Sequence, residues 1–355
     1  MNIIDIECKD TGDIYKVIEI LNGCISEANA EFIKDVDEYS KTLNDVSDES
    51  DSVNNVSETN IENIKSKKKK KKKKKKIEDD CNSIIKSEDE IEEEKENKGC
   101  IKILTSDPNQ VMITYIKLNG SAFSKFEVLP AKYSVGLNLD ELYKYLKGVN
   151  KDSVMRITVN SDDTQHIVFD VASNNGSNES VCELRVLNLT NKKNRKIETT
   201  VQMAVRINCA MFHKECKDLI NFSQYVELTC DPTKLVITCT GDLSNHSRTF
   251  RADGKQNSIV IKTNTTEEEK NAPNIIKLIF DLKYINTMYK CIGLCEDMEI
   301  YLNSDSVMYL KYGIKLMGEM LVGIAPSGQN NNHNDTYDED DELYYQDDEE
   351  IVLIQ

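Results

Sequence analysis

Two stretches of about 130 residues in this chain show the same order of sequence patterns, and this repeat limits the folds that the chain can adopt. Each stretch has an early and a late segment with apolar residues at helical spacing, and short alternating segments typical of strands lie between and after them. The predicted helices are Asp13–Ser26, Leu139–Val149, Ala210–Phe222 and Phe280–Ile292. The repeat predicts an α+β protein of two similar domains, each with two helices on one face of β-sheets.

A polar insertion interrupts the first repeat. From about residue 36 to 98 the chain consists of Asn, Ser, Asp, Glu and Lys with isolated Ile or Val, which predicts a disordered segment. This segment contains ten consecutive lysines, Lys67–Lys76. Three interpretations of the lysine tract stay open: a nuclear-import or nucleic-acid patch, an auxiliary DNA tether, and a homopolymer without a selected role.

The last residues, 328–355, predict a second disordered segment. They include ten acidic residues and no lysine or arginine, in a chain whose formal net charge is −17. The acidity of the protein therefore belongs mainly to the two low-complexity segments. A short docking motif around the final IVLI is the alternative interpretation of the tail.

Several classes of protein have no support in the sequence. No stretch of about 18 apolar residues occurs, and Met1–Glu7 lacks the pattern of a signal peptide, so we expect a soluble intracellular protein without a membrane partner. The 11 cysteines and 4 histidines show no zinc-ligand spacing, and we expect neither a metal nor a cofactor. Phosphate-binding loop and nucleophile-elbow motifs are missing, so an enzyme is not expected.

Three segments resemble the proliferating cell nuclear antigen family of DNA sliding clamps: Ser134–Val159, Phe280–Leu302 and Val307–Gly328. The last two resemble the family most closely, with a helix followed by a strand, and then a strand pair ending in Ala-Pro before an acidic tail. The bias towards Asn, Lys, Ile and Asp and the long insertion resemble a diverged clamp of a large DNA virus.

The resemblance implies a non-catalytic processivity factor for DNA replication and repair, built as a closed homotrimeric ring around double-stranded DNA. It divides the chain into an N-terminal domain (1–188), a connector (189–200), a C-terminal domain (201–327) and the tail (328–355). It also implies that helix lysines line the channel, namely Lys16, Lys144, Lys147, Lys214, Lys217, Lys283 and Lys290. Without the family, such lysines are more often a solvated helix face. Tyr15, Asn22 and Asn221 stand where the family often has a basic residue.

Further expectations from the resemblance concern partners and ring closure. DNA polymerase, the clamp loader and other proteins with PIP-box-like motifs would bind a groove that includes Ile197, Val307, Ile324, Ala325 and Pro326. Gly323 stands in this groove where an aromatic residue is common. Strands of adjacent subunits would pair through Val181, Leu184, Val186, His246 and Phe250.

Two alternatives stay open. One is a subunit of a heterotrimeric checkpoint-type clamp, and the other is a basic-tract nucleic-acid-binding or transcription factor that forms no ring. The expected site of action is the nucleus, or a cytoplasmic replication factory if the protein is viral.

Overall fold

The computed structural model describes residues 1–34, 99–173, 178–189, 201–254, 258–263, 275–304 and 306–327. The predicted insertion with its lysine tract, the acidic tail, and all but the first residue of the predicted connector lie outside these ranges. Ile197 therefore lies outside them as well. None of the helices in the described ranges is long and apolar enough to cross a membrane.

The described residues of the first half form nine strands and two α-helices. The strands are β1 (Asn2–Cys8), β2 (Glu27–Ile33), β3 (Cys100–Ser106), β4 (Met112–Asn119), β5 (Lys125–Val128), β6 (Lys132–Asn138), β7 (Val154–Asn160), β8 (Asp163–Ala172) and β9 (Glu179–Arg185). The helices are α1 (Thr11–Asn22), α2 (Leu139–Lys147) and a short 3-10 turn, Gly120–Ala122.

The second half repeats this order. Its strands are β10 (Met203–Asn208), β11 (Tyr225–Asp231), β12 (Lys234–Thr240), β13 (Asn245–Arg251), β14 (Val260–Thr263), β15 (Ile276–Asp281), β16 (Asp297–Leu302), β17 (Met308–Ile314) and β18 (Gly318–Ile324). Its helices are α3 (Cys209–Leu219), α4 (Leu282–Thr287) and a 3-10 helix, Met288–Gly293, that directly continues α4.

The sheet order confirms the repeat strand by strand. The first half contains the orders β5-β1-β7-β8-β9 and β4-β3-β2-β6, and the second contains β14-β10-β16-β17-β18 and β13-β12-β11-β15. The alternation of buried residues aligns the halves, with Met155 matching Met298 and Ile157 matching Ile300. In addition, β4 pairs with β18, and this pairing joins two of these sheets into a nine-stranded sheet across both halves.

All four α-helices begin in the same way, directly after a strand. Asp10, Asn138, Asn208 and Asp281 are the N-caps, and each side chain accepts a hydrogen bond from a backbone N–H of the first turn at 2.8–3.0 Å. Each of the four predicted helices has a counterpart in the described ranges, but each ends earlier or changes type. The run Phe280–Ile292 is an α-helix of six residues followed by the 3-10 helix rather than one α-helix.

The insertion enters the fold at a hairpin. β2 and β3 are antiparallel neighbours, and Ile33 lies opposite Cys100 at the end of their ladder. A Cβ built on Gly99, whose φ is +90°, would clash with the carbonyl oxygen of Lys34. Residues 34 and 99 are therefore adjacent, so a tight turn could replace the whole insertion.

One hydrophobic core extends through both halves and contains a buried histidine. His213 of α3 is fully buried, and its Nε2 lies 2.9 Å from the hydroxyl oxygen of Tyr312 on β17. Its Nδ1 has no hydrogen-bond partner. Burial lowers the pKa of His213 to about 4, because the charged imidazolium loses its hydration. The side chain is therefore neutral at physiological pH.

Candidate nucleic-acid interface

The helices form one continuous layer. α1 packs against α2 in the first half, and α3 packs against α4 and the 3-10 helix in the second. α1 also contacts the 3-10 helix, which connects the two pairs across the boundary between the halves. The helical layer, like the nine-stranded sheet, is therefore shared by both halves.

Six of the seven predicted channel lysines are exposed, and five of these six have no carboxylate partner among the described residues. We call them the unpaired lysines: Lys147, Lys214, Lys217, Lys283 and Lys290. The Nζ of Lys217 lies 4.0 Å from the ring centroid of Tyr289, and this cation–π contact holds its charge at the surface of the layer. Tyr289 lies on the apolar stripe of the predicted helix Phe280–Ile292, but its side chain is exposed beside the lysine.

The other two predicted channel lysines, Lys16 and Lys144, are neutralised by neighbours, and we call them the paired lysines. Lys16 lies 2.9 Å from Glu19, and Lys144 lies 2.8 Å from Glu141. The hydrogen bond to Glu141 raises the pKa of Lys144. A phosphate would have to compete with these carboxylates, so the paired lysines offer less net charge to a polyanion than the unpaired ones.

Two of the strands that end a sheet in the described part of the chain are the ones predicted to join subunits. β9 ends the five-stranded sheet of the first half, and β13 ends the four-stranded sheet of the second. Of the residues predicted on these edges, Val181 is 64% exposed, and His246 is half-buried with its ring stacked on Phe222. Leu184 and Phe250 are half-buried against the core of their own subunit. Val186 lies just after β9, where its N–H donates to the Gln165 carbonyl.

The junction between the halves corresponds to these open edges. In the aligned halves β18 matches β9 and β4 matches β13. The strands β18 and β4 pair with each other inside the chain, whereas the matching edges of β9 and β13 have no partner strand in the described residues. The ends of α1 and α3 show the same contrast. Asn22 and Cys24 lie in the helical layer where α1 meets the 3-10 helix, whereas the matching residues, Ile220 and Phe222, are more than 40% exposed. Ile220 lies on the apolar stripe of the predicted helix Ala210–Phe222, but its side chain is exposed in the single chain.

Family comparisons agree with this two-part architecture. Residues 75–193 match the model of the proliferating cell nuclear antigen N-terminal domain, and residues 196–327 match that of the C-terminal domain. The chain belongs to the proliferating cell nuclear antigen family. This family is non-catalytic, which confirms the prediction that the protein is not an enzyme. Residues 1–34 lie outside the matched ranges, but β1 and β2 pair within the first half.

Two relatives show how far this member of the family has diverged. A probable DNA polymerase sliding clamp of Acanthamoeba polyphaga mimivirus is 23% identical over 237 residues, which are 66% of this chain and 49% of the relative. The chain thus matches about half the length of that protein. The crystal structure of proliferating cellular nuclear antigen from Entamoeba histolytica has the same fold, with a TM-score of 0.65 and 14% identity, over 92% of this chain and all of the other.

The groove predicted for this family member lies where β17 begins and β18 ends. Val307, Ala325 and Pro326 are half-buried at the surface, whereas Ile324 is fully buried and supports the groove from the core. Gly323 lies opposite Tyr309, and a Cβ on Gly323 would lie 2.9 Å from Cε1 of that ring. Tyr309 therefore occupies the space beside Gly323 and supplies an aromatic side chain from the neighbouring strand.

One basic residue of the helical layer was missed by the sequence analysis. Lys151 follows α2, is exposed, and places its Nζ 4.6 Å from the ring centroid of Tyr15 on α1. Tyr15 stands where this family often has a basic residue, and Lys151 brings a positive charge to that place from another element. The aromatic residue on α1 was the only sequence signal for this contact, because the two positions are far apart in the chain.

Proposed function

We propose that the protein is a DNA sliding clamp, in which three copies join head to tail into a ring around duplex DNA. The ring tethers DNA polymerase and other replication or repair proteins to the template. Such a protein acts where DNA is copied, in a nucleus or in a cytoplasmic viral factory.

The observation that carries this proposal is the match between the internal junction and the two open edges. β9 of one subunit has the same place in its half as β18, and β13 of the next subunit has the same place as β4. Pairing β9 with β13 repeats the internal junction between subunits. Such a contact is heterologous, and it closes into a ring when its rotation divides the full circle.

Charge and apolar exposure support the same contact. Glu179 gives β9 an acidic side chain, and Arg251 gives β13 a basic one. Ile220 and Phe222 would pack against the end of the neighbouring α2, as the end of α1 packs against the 3-10 helix within the chain. An open edge of this kind otherwise invites uncontrolled strand pairing.

The helical layer would then face the DNA. The unpaired lysines contribute five charges per subunit to this layer, and lysine contacts to phosphates carry no base information. A ring held in this way can stay on DNA of any sequence and still slide, because each phosphate contact is weak and exchangeable. We regard the paired lysines and Lys151 as secondary contacts.

Partner proteins would bind on the opposite side of the sheet from the helices. The groove beside Val307, Tyr309, Ala325 and Pro326 offers half-buried apolar surface for a short peptide. We propose that polymerase and clamp loader insert hydrophobic side chains of such a peptide here. Ile197, outside the described residues, stays a predicted member of the groove.

Light scattering on the purified chain tests the ring directly. We expect about three times the chain mass of 40.4 kDa. Val181→Asp should give folded monomers, because its side chain is exposed in the single subunit and its charge would lie in the strand junction. Leu316→Asp is the matched control, since Leu316 is an exposed apolar residue between β17 and β18, and this variant should stay trimeric. A monomeric wild-type chain would contradict the homotrimer and favour one of the two alternatives.

A further inference from the structure

Three side chains with metal-ligating atoms meet on the five-stranded sheet of the first half. Asp163 begins β8, His166 follows on the same strand, and Glu183 lies on β9. The Nδ1 atom of His166 lies 2.8 Å from Oδ2 of Asp163 and 3.6 Å from Oε1 of Glu183. One ligand atom from each residue lies within 4.8 Å of the other two.

The neighbouring residues fix this arrangement. Ile167 and Phe169 point into the core, so His166 projects from the opposite face of the sheet. The β8–β9 register puts Glu183 opposite Val168, one side-chain position further along that face. The backbone N–H of Gln165 donates to Oδ1 of Asp163 at 3.1 Å and orients its carboxylate. Two carboxylates thus converge on a single imidazole nitrogen.

Electrostatics favour a cation at this point. The single Nδ1 of His166 carries at most one proton, and Asp163 at 2.8 Å lies closer to it than Glu183 at 3.6 Å. The second carboxylate is then left beside a like charge, which is unfavourable unless a positive charge lies between them. A metal ion bound by the imidazole and both carboxylates would supply that charge.

We propose that Asp163, His166 and Glu183 form a binding site for a divalent transition-metal ion, with Zn²⁺ as the representative ion. One nitrogen and two carboxylate oxygens are ligands that Zn²⁺ accepts, whereas Mg²⁺ and Ca²⁺ prefer oxygen alone. Three protein ligands leave a coordination position for water. The sequence did not predict the site, because Glu183 is separated from the other two residues in the chain and only strand pairing brings it close.

The proposed metal site and the proposed peptide groove lie at matching positions of the two halves. In the aligned halves His166 matches Val307 and Glu183 matches Gly323, which lie at the groove proposed for partner peptides. The first half therefore has polar ligands where the second half has an apolar groove. A metal ion here would link β8 to β9, which is an open edge strand, and would hold that edge in its paired geometry.

Zn²⁺ binding to the full chain, measured by calorimetry, tests the site. Because the acidic tail and the cysteines can also take up Zn²⁺, the informative quantity is the difference between wild type and variants. His166→Ala should lose one bound ion per chain or weaken that site by at least about tenfold. Asp162→Asn is the matched control, since Asp162 is the adjacent turn carboxylate and lies outside the cluster, and it should bind like the wild type.

A second variant keeps the test valid if His166→Ala disturbs folding. Glu183→Gln keeps the size of an exposed side chain and should lower the affinity of the same site, with an unchanged far-ultraviolet circular dichroism spectrum. Co²⁺ can replace Zn²⁺ in the same titration and report nitrogen and oxygen ligation by its visible absorption. The proposal is wrong if the wild type lacks the additional ion, or if both cluster variants bind Zn²⁺ with wild-type stoichiometry and affinity.

Discussion

Replacing His246 by cysteine tests the register of the proposed subunit junction. In the aligned halves Cys182 matches Val322 and His246 matches Thr114, and these two residues lie directly opposite each other across β18–β4. The junction should therefore place Cys182 of one subunit opposite residue 246 of the next. Directly opposite residues of antiparallel strands have Cα atoms about 4.5–5.5 Å apart, which falls within the range that a disulfide spans.

Mild oxidation of His246→Cys should give species of two and three times the 40.4 kDa chain on non-reducing gels, and reductant should reverse them. Ser247→Cys is the register control, because its side chain points to the other face of β13 and should not reach Cys182. Asn245→Cys is the second control, on the other side of residue 246 along β13, and its side chain also points to the opposite face of the strand. Cross-linking in either control but not in His246→Cys would refute the register, and no cross-linking in any variant would refute the strand junction.

Three other predictions follow from the fold and the helical layer. The free energy of unfolding should fall by on the order of 2 kcal/mol between pH 6.5 and pH 5, because the unfolded chain takes up a proton at His213 while the buried side chain in the folded state stays neutral. Urea titrations should show a flatter pH dependence for His213→Gln. An equally steep pH dependence in this variant would contradict the prediction. Replacing residues 35–98 by Asn-Gly should leave the melting temperature within a few degrees of the wild-type value, because residues 34 and 99 are already adjacent. The entropy of loop closure also changes by only about 0.6 kcal/mol per doubling of loop length. Loss of the folded circular dichroism spectrum would show that the segment is not an insertion. Alanine at two unpaired lysines, Lys214 and Lys290, should reduce the salt dependence of binding to a short DNA duplex more than alanine at the two paired lysines. The slope of log K against log salt concentration should fall by up to about 0.9 for each phosphate that the protein no longer neutralises. Equal effects of the two double variants would contradict the distinction between paired and unpaired lysines.

The order of the elements could be predicted from the sequence because its signals are local. Alternating and helical spacings repeat in both halves, and each helix starts at an Asp or Asn that follows a strand. Pairings between distant segments have no such signal. Nothing in the sequence of β4 or β18 indicates that these strands pair, although their pairing joins the strands of both halves into one nine-stranded sheet.

In the candidate site, too, features with a local sequence signal could be predicted, whereas contacts between distant residues could not. Exposure of the helix lysines followed from helical periodicity, but the ion pairs that separate Lys16 and Lys144 from the others depend on side-chain geometry. Ile220 fitted an apolar stripe and is nevertheless exposed, since periodicity cannot tell a core face from a face that another subunit covers. Lys151 and Glu183 acquire their neighbours only through tertiary contacts.

The most direct test of a ring around DNA uses the disulfide junction as a lock. His246→Cys is incubated with circular plasmid, oxidised, and exposed to denaturant, so that only protein linked topologically to the DNA stays with it. The clamp account predicts that protein remains on the intact circle and is released when one cut makes the plasmid linear. Equal release from circular and linear DNA would contradict the clamp, and would mean that DNA is held from outside, as by the lysine tract Lys67–Lys76.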